Sequence, residues 1–273
     1  MAEAQRRIKI RRDAKDKIAQ VADQRENVLL VHYSCESFYD RPGGASPRIT
    51  SLAVRHLASG QTESFSIHQV AEREKKLSAN EIDQNYDAFE KKMLKEFYDF
   101  AGRHAGHTWI HWNMRDANYG FPALEHRYKV LGGSNPSKIH DSHLLDLARA
   151  IVDIYSSNYA QHPRFATLMG LNAISDLNFL TGAEEAAAFD QKEYVKLHQS
   201  TLRKVDVLAS LFDRVSHGTL KTNATIKDIY GGYFAYALFL IGSHWLGVLL
   251  TFIGTIASIL GLFLYFADKA TKG

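Results

Sequence analysis

Val28-Leu29-Leu30-Val31-His32-Tyr33, running on into Ser34-Cys35-Glu36, is a short apolar stretch whose length and branched residues read as a buried β-strand. A Gly/Pro/Ser-rich loop follows at Arg41 to Pro47, and Arg48 to Leu57 then alternates apolar and polar residues. A turn falls at Ala58-Ser59-Gly60-Gln61, after which Thr62 to His68 alternates again, so three strands are joined in hairpin style. The spacing of Phe89, Met93, Leu94, Phe97 and Phe100 predicts a helix over Ala88 to Arg103, and Thr108-Trp109-Ile110-His111-Trp112 predicts a fourth strand. Further helical stretches occupy Phe121 to Leu131, Ser142 to Tyr155 and Tyr194 to Val215. The pattern is that of a mixed α/β head.

Behind the head the chain changes character. From residue 229 to 267 there is no Lys, Arg, Asp or Glu, and His244 is the only histidine. About 18 apolar residues suffice for a spanning helix, because the hydrocarbon core is roughly 30 Å thick and a helix rises about 1.5 Å per residue. Two arrangements fit. A hairpin has arms at Ile229 to Gly242 and Leu246 to Phe266 with a turn at Gly242-Ser243-His244-Trp245; a single span lays Ile229 to Ile241 along the interface. The hairpin puts Tyr230, Tyr233, Tyr236, Trp245, Tyr265 and Phe266 at interfaces, and Lys221, Lys227, Lys269 and Lys272 on one side. Gly247, Gly254 and Gly261 recur every seven residues with Ser258 between the last two, a smooth face for self-association in the membrane.

The expected organisation is a basic N-terminal helix over residues 1–26, a head over 27–225, membrane segments over 226–268 and a short basic tail over 269–273. The net charge of +3 excludes little. Cys35 is the only cysteine, which excludes an internal disulfide and disfavours cysteine-based zinc sites. The charged leader and the brevity of the first apolar stretch are unlike a secretory signal, so the head is expected in the cytosol, at the inner face of a cytoplasmic membrane. That leader carries seven basic residues among its first seventeen, with Arg6, Arg7, Arg11 and Arg12 placed to neutralise phosphates of nucleic acid or lipid headgroups; Ile10, Ala14, Ile18 and Val21 form its buried stripe. His104, His107 and His111 have metal-ligand spacing, but they straddle a helix end and a strand, so their side chains are expected to diverge. Tyr33, His111, Trp112 and Tyr119 can stack bases or fill core edges. Glu184-Glu185 reads as the start of a solvated helix.

From Val28 to Val215 the order of elements resembles the DEDD exonucleases, which trim nucleic acid from a 3′ end on a ribonuclease H-like fold. In that family the first strand ends in Asp-x-Glu, a later strand ends in an Asn-containing motif followed by Asp, and a late helix carries His with Asp five residues on. The four acids hold two metal ions that activate water and stabilise the leaving oxygen. Here the first motif is Ser34-Cys35-Glu36, with serine in place of the leading aspartate. The second, Ile110-His111-Trp112-Asn113-Met114-Arg115-Asp116, supplies Asp116, and Phe165 to Ile174 resembles the short helix before the last motif. The third has two registers: His198 with Arg203 at the acid position, or Thr201 at the histidine position with Asp206 as the acid. Either way an element is missing, and loss of the leading aspartate weakens both metal positions.

The resemblance therefore implies a ribonuclease H-like mixed sheet flanked by helices and a degenerate site built from Glu36, Asp116, His198 and Asp206, with Glu36 and Asp116 as remaining metal ligands. The expected function is a membrane-anchored, exonuclease-like head that binds nucleic acid, or a protein complex containing it, without cutting. Arg6, Arg7, Arg11, Arg12, Trp112 and Tyr119 are the expected contacts, and the lipid bilayer and further copies of the chain the other partners. Two alternatives stand beside it: a working 3′–5′ exonuclease, the only case that calls for Mg²⁺ or Mn²⁺, and a membrane-disrupting effector of bacterial anti-phage defence with the head as sensor.

Overall fold

The computed structural model describes residues 2–36, 46–76, 78–115 and 119–233, and continues to 271 with breaks at 234–235, 238, 240 and 242–244. Among the described residues five strands form one sheet: β1 (Val28–Cys35), β2 (Ile49–His56), β3 (Thr62–Ser66), β4 (Thr108–His111) and β5 (Leu144–Asp146). Their order is β3-β2-β1-β4-β5. The β1–β2 and β2–β3 pairs are antiparallel, and the β1–β4 and β4–β5 pairs are parallel.

β1 is the centre of the sheet, and its alternation assigns the two sides. Leu29, Val31 and Tyr33 enter one apolar cluster and Val28 and Leu30 the other, because successive side chains of a strand point to opposite faces. The first cluster is covered by α2 (Ile67–Arg73), α3 (Ala79–Gln84), α4 (Tyr86–Arg103), α5 (Phe121–Val130) and the start of α9 (Tyr194–Ser216). Phe97 and Trp109, both fully buried, meet edge to face at 6.3 Å, and Phe65 packs on Phe97 at 5.9 Å. Such aromatic pairs are worth about 0.5–1.5 kcal/mol beyond area burial. The second cluster is covered by α1 (Ala2–Asp23), α6 (Leu147–Tyr155), α7 (Arg164–Leu171) and the rest of α9. Two more helices appear before the end of the head, α8 (Gly182–Asp190) and α10 (Ile226–Tyr230), and the long α11 (Trp245–Thr271) follows.

Local chemistry sets the boundaries. β3 stops earlier than the alternation of Thr62 to His68 suggests, because Ser66 caps α2: its Oγ accepts from Gln69 N, and Ile67 and His68 are helical. The stretch Ser142 to Tyr155, expected as one helix, is a 3₁₀ turn, the three-residue β5 and α6; Asp146 caps α6 by accepting from Ala148 N and Arg149 N. The buried stripe of α1 is present, with Ile18 and Val21 buried and Ala14 packed against the second cluster.

The expected membrane hairpin and the single span are both corrected: among the described residues no helix is long and apolar enough to cross a membrane. The start of the uncharged run belongs to the head. Ile229 and Tyr230 lie in α10, which ends at Gly231 with φ 80° and Gly232 with φ 146°. Tyr230 is buried with the Arg11 guanidinium 5.3 Å from its ring centroid, and Arg7 Nη1 donates to Asp228 O at 3.0 Å. A helix stitched to the head on the side of α1 cannot be the first arm of a hairpin. Of the expected turn at 242–245, Gly242, Ser243 and His244 lie outside the described residues. On α11, Ser258 Oγ donates to Gly254 O at 2.8 Å, and a Cβ added at Gly254 or Gly261 would meet nothing within 4 Å, whereas one at Gly247 would collide with Ile241 O.

A capping box holds α10: Thr225 Oγ1 accepts from Asp228 N, and Asp228 accepts from Thr225 N. Asn158 Nδ2 adds a 2.8 Å bond to Asp228 Oδ1. Donation from the Thr225 hydroxyl first, then from Thr225 N and Asn158, holds the Asp228 carboxyl down to about 2. Thr225→Ala is expected to cost the head about 1 kcal/mol in urea denaturation; an unchanged midpoint would mean that α10 contributes nothing to the cooperative unit.

Candidate functional site

The alternation that puts Val28 and Leu30 against the second cluster carries His32 and Ser34 towards α9 at the end of β1. There a chain of hydroxyls closes on a buried ion pair. Ser51 Oγ lies 2.6 Å from Thr201 Oγ1, Thr201 Oγ1 lies 2.9 Å from Ser34 Oγ, and Ser34 Oγ donates to Glu185 Oε1 at 2.7 Å. Ser200 Oγ donates to the same oxygen at 3.1 Å, and Lys204 Nζ stands 2.6 Å from it. Lys204 Nζ also sits 5.4 Å from the Phe179 ring centroid. Ser34, Ser51, Ser200 and Thr201 are essentially inaccessible, with Lys204 7% and Glu185 9% exposed.

Burial on this scale makes a carboxylate or an ammonium costly unless each is paired and hydrogen-bonded. Glu185 meets that condition through three donors. The positive charge is felt nearby: His32 is pushed well below its ordinary value by burial first and by Lys204 second. Cys35 is pushed up by burial, then by Glu185 and Glu36. Tyr119 closes this end, stacking on Tyr33 at 4.6 Å and bonding to Tyr33 O at 3.2 Å.

The expected site residues are distributed around this cluster rather than gathered in it. Glu36 follows β1, its N donating to Arg48 O, and is half-buried. Asp116 lies outside the described residues. His198 faces α2: its Nδ1 is 3.3 Å from His68 Nε2, and His68 Nδ1 is 3.1 Å from Ser66 Oγ. Because Ser66 Oγ gives its proton to Gln69 Oε1, His68 Nδ1 carries a proton and His68 Nε2 accepts from His198 Nδ1. Burial and the neighbouring His68 hold His198 at about 4. Asp206 turns away to accept from Arg55 Nη1 at 2.9 Å, and Arg203 Nη2 donates to Ser175 O at 2.6 Å. Of the two registers for the third motif, Thr201 is the residue that touches Ser34.

A two-metal centre does not fit these residues. The position of the leading aspartate is a serine bonded to Glu185 Oε1, on which the Lys204 ammonium also rests, and a fixed positive charge competes with any cation there. Among the described residues no group of three His, Cys, Asp or Glu side chains could hold a metal ion. The spacing of His104, His107 and His111 does not bring three imidazoles together either. His104 and His107 meet edge to face at 4.9 Å, while His111 turns to the Phe121 ring.

The expected nucleic-acid contacts divide in the same way. Arg7 and Arg11 fasten α1 to the head, Arg11 Nε donating to Ile154 O at 3.1 Å, whereas Arg6 and Arg12 are exposed. Trp112 is buried against Phe165, ring centroids 4.8 Å apart, so it fills the core edge, as Tyr119 does against Tyr33.

Glu185, expected at the start of a solvated helix, and Lys204 are the members of this buried cluster that the sequence did not point to. A signal for Lys204 exists: Leu197, Ser200, Thr201, Lys204 and Leu208 recur at helical spacing, which places a lysine on the buried stripe of α9. None exists for Glu185, which sits beside the capping-box residue Glu184 and whose burial depends on how α8 docks. No protein family, curated protein or solved structure matches the chain, so the exonuclease resemblance rests on its own residues alone.

Proposed function

We propose that the protein is a catalytically degenerate, exonuclease-like module that binds nucleic acid without cutting it. The observation that carries this reading is the Lys204–Glu185 pair bonded to Ser34, which puts an ammonium beside the position where the resemblance requires a metal-binding aspartate. The resemblance is supported by Ser34 at the end of β1, the start of the second motif at the end of the adjacent parallel strand β4, and Thr201 in the middle of α9, while Asp116 lies outside the described residues. The binding face is the outer side of α1. Its Arg6, Lys9, Arg12 and Lys15 are exposed, and because Ile18 and Val21 are buried in the head, these cations stand on a rigid support.

The test incubates the full chain with labelled single- and double-stranded DNA and RNA in Mg²⁺ or Mn²⁺ and scores cleavage and retention together. Retention without cleavage is expected, weakening steeply with salt, and Arg6→Glu with Arg12→Glu should lower affinity about tenfold at moderate salt. Cleavage abolished by Glu36→Ala with Asp116→Ala would overturn the non-catalytic reading, and absence of retention on all four polymers would overturn the nucleic-acid one.

A further inference from the structure

A second feature lies between β4 and β5, where residues of the second motif meet the end of β5. β4 and β5 run parallel and end side by side, with His111 in register with Asp146. Beyond their carboxyl ends, roofed by α5 and residues 137–141, is a cavity of about 640 Å³. Crevices outside the carboxyl ends of parallel strands are where open α/β sheets most often take ligands, and this volume lies within the usual range for small-molecule sites.

Its polar groups are pre-oriented. Asp146 Oδ1 accepts from three backbone donors, Asn113 N, Ala148 N and Arg149 N, which fixes the carboxylate at the start of α6. Its Oδ2 faces Arg115 Nε at 2.7 Å, and Arg115 Nη2 donates to Asn113 Oδ1 at 3.2 Å. One ion-pair contact and one hydrogen bond flank the guanidinium, while its side chain stays 53% exposed at the cavity. His111 is also fixed. Its Nδ1 accepts from Met114 N at 3.2 Å, so the proton sits on Nε2, and the ring lines the cavity. Lys138 stands at the rim with its side chain 78% exposed and its Nζ 3.9 Å from Glu125, and the carboxylates of Glu125 and Asp141 also line the cavity. The remaining wall includes Met114, Phe121, Ile139 and Leu144, with Phe121 edge-on to His111.

We infer that this cavity is a binding site for a small organic anion, a carboxylate or phosphate carried on a flat apolar body, with Arg115 as its anchor. A guanidinium held on two sides presents its remaining N–H donors in a plane, the geometry that carboxylates and phosphates match. The His111 Nε2–H supplies a neutral donor beside it, and Lys138 adds charge at the mouth. The apolar wall requires a body that covers it, which separates this site from a patch that attracts any anion. The cavity shares residues with the second motif but none with the exposed face of α1, so its ligand and the nucleic-acid contacts are tested separately.

The test is calorimetric titration of the full chain with four probes: a nucleoside 5′-monophosphate, indole-3-carboxylate, inorganic phosphate and the neutral nucleoside. Binding of one or both flat-bodied anions at sub-millimolar Kd is expected, with phosphate and the nucleoside at least about tenfold weaker. Arg115→Ala should weaken the anion at least about tenfold. Because Arg115 also braces Asp146, Lys138→Ala, which removes an exposed rim cation together with its 3.9 Å contact to Glu125, serves as the variant that leaves the fold intact and should weaken binding severalfold. The nucleotide and carboxylate arms tell the two anion chemistries apart. Equal binding of phosphate alone, binding indifferent to both variants, or no binding by any probe would overturn the inference.

Discussion

Lys204→Met is expected to destabilise the head by about 3–5 kcal/mol, a large part of the roughly 5–15 kcal/mol that separates folded from unfolded domains. The substitution keeps the volume and apolar stem on α9 but leaves the Glu185 carboxylate with only the hydroxyls of Ser34 and Ser200 in a place that excludes water. Attraction between the charges is not the source of the loss; the uncompensated desolvation of the survivor is. The partner substitution separates these causes. Glu185→Gln on the Lys204→Met background removes both charges and keeps an amide oxygen for Ser34 and Ser200, so the double variant should recover most of the lost stability. Urea denaturation of the single and double variants measures this. A single variant within 1 kcal/mol of the parent would mean that the cluster is wet or open, and would remove the physical basis for calling the exonuclease-like site degenerate.

Stability should also fall steeply as pH drops from about 6.5 to 4. His111 and His198 are both held at about 4 in the folded state, His111 by burial against the raising influence of Asp146, and His198 by burial and His68. His32, His56, His68 and His107 are lowered too, each by burial first. A histidine whose folded pKa lies below its unfolded value near 6.5 binds its proton preferentially in the unfolded chain. Its contribution is therefore present above about 6.5 and lost as pH falls towards the folded value. A shift from 6.5 to 4 corresponds to roughly 3 kcal/mol per histidine, so His111 and His198 together suffice to bring a domain of ordinary stability close to unfolding. Glu90 opposes the trend, because burial raises its carboxyl. Geometry supplies the reason for the two large shifts. Protonated His111 could no longer accept from Met114 N, and a proton added to His198 would sit on Nε2, which is buried with no hydrogen-bond partner among the described residues. Urea midpoints measured from pH 8 to 4 test the expectation, with His198→Leu predicted to flatten the curve. A midpoint constant from pH 6.5 to 4.5 would contradict it.

Much of the head was legible because it depends on local periodicity. β1, β2, α4, β4, α5 and α9 lie where alternation or helical spacing puts them, since burying one face is enough to specify each. Failures occurred where a short-range pattern was ambiguous. β5 has three residues embedded in a helix-like pattern, and only its register with β4 makes it a strand. The uncharged run after Asp228 was misread for a related reason. Composition reports what a segment can tolerate, whereas the attachment of Tyr230 beneath Arg11 and the breaks at Gly231 and Gly232 depend on contacts with α1, more than two hundred residues away in sequence.

The chain's own order of residues was sufficient for the class of the head, the strands that make its centre, the buried stripe of α9 and the serine that replaces an expected acid. Tertiary structure alone decided what that serine meets. Ser34, Ser51, Glu185, Thr201 and Lys204 come from four elements, and no periodicity within one element determines which side chains share a buried space. The pairing of a carboxylate with an ammonium follows from the docking of α8 and α9 on β1 and β2, because the cost of burying either charge is met only when the other arrives at the same point.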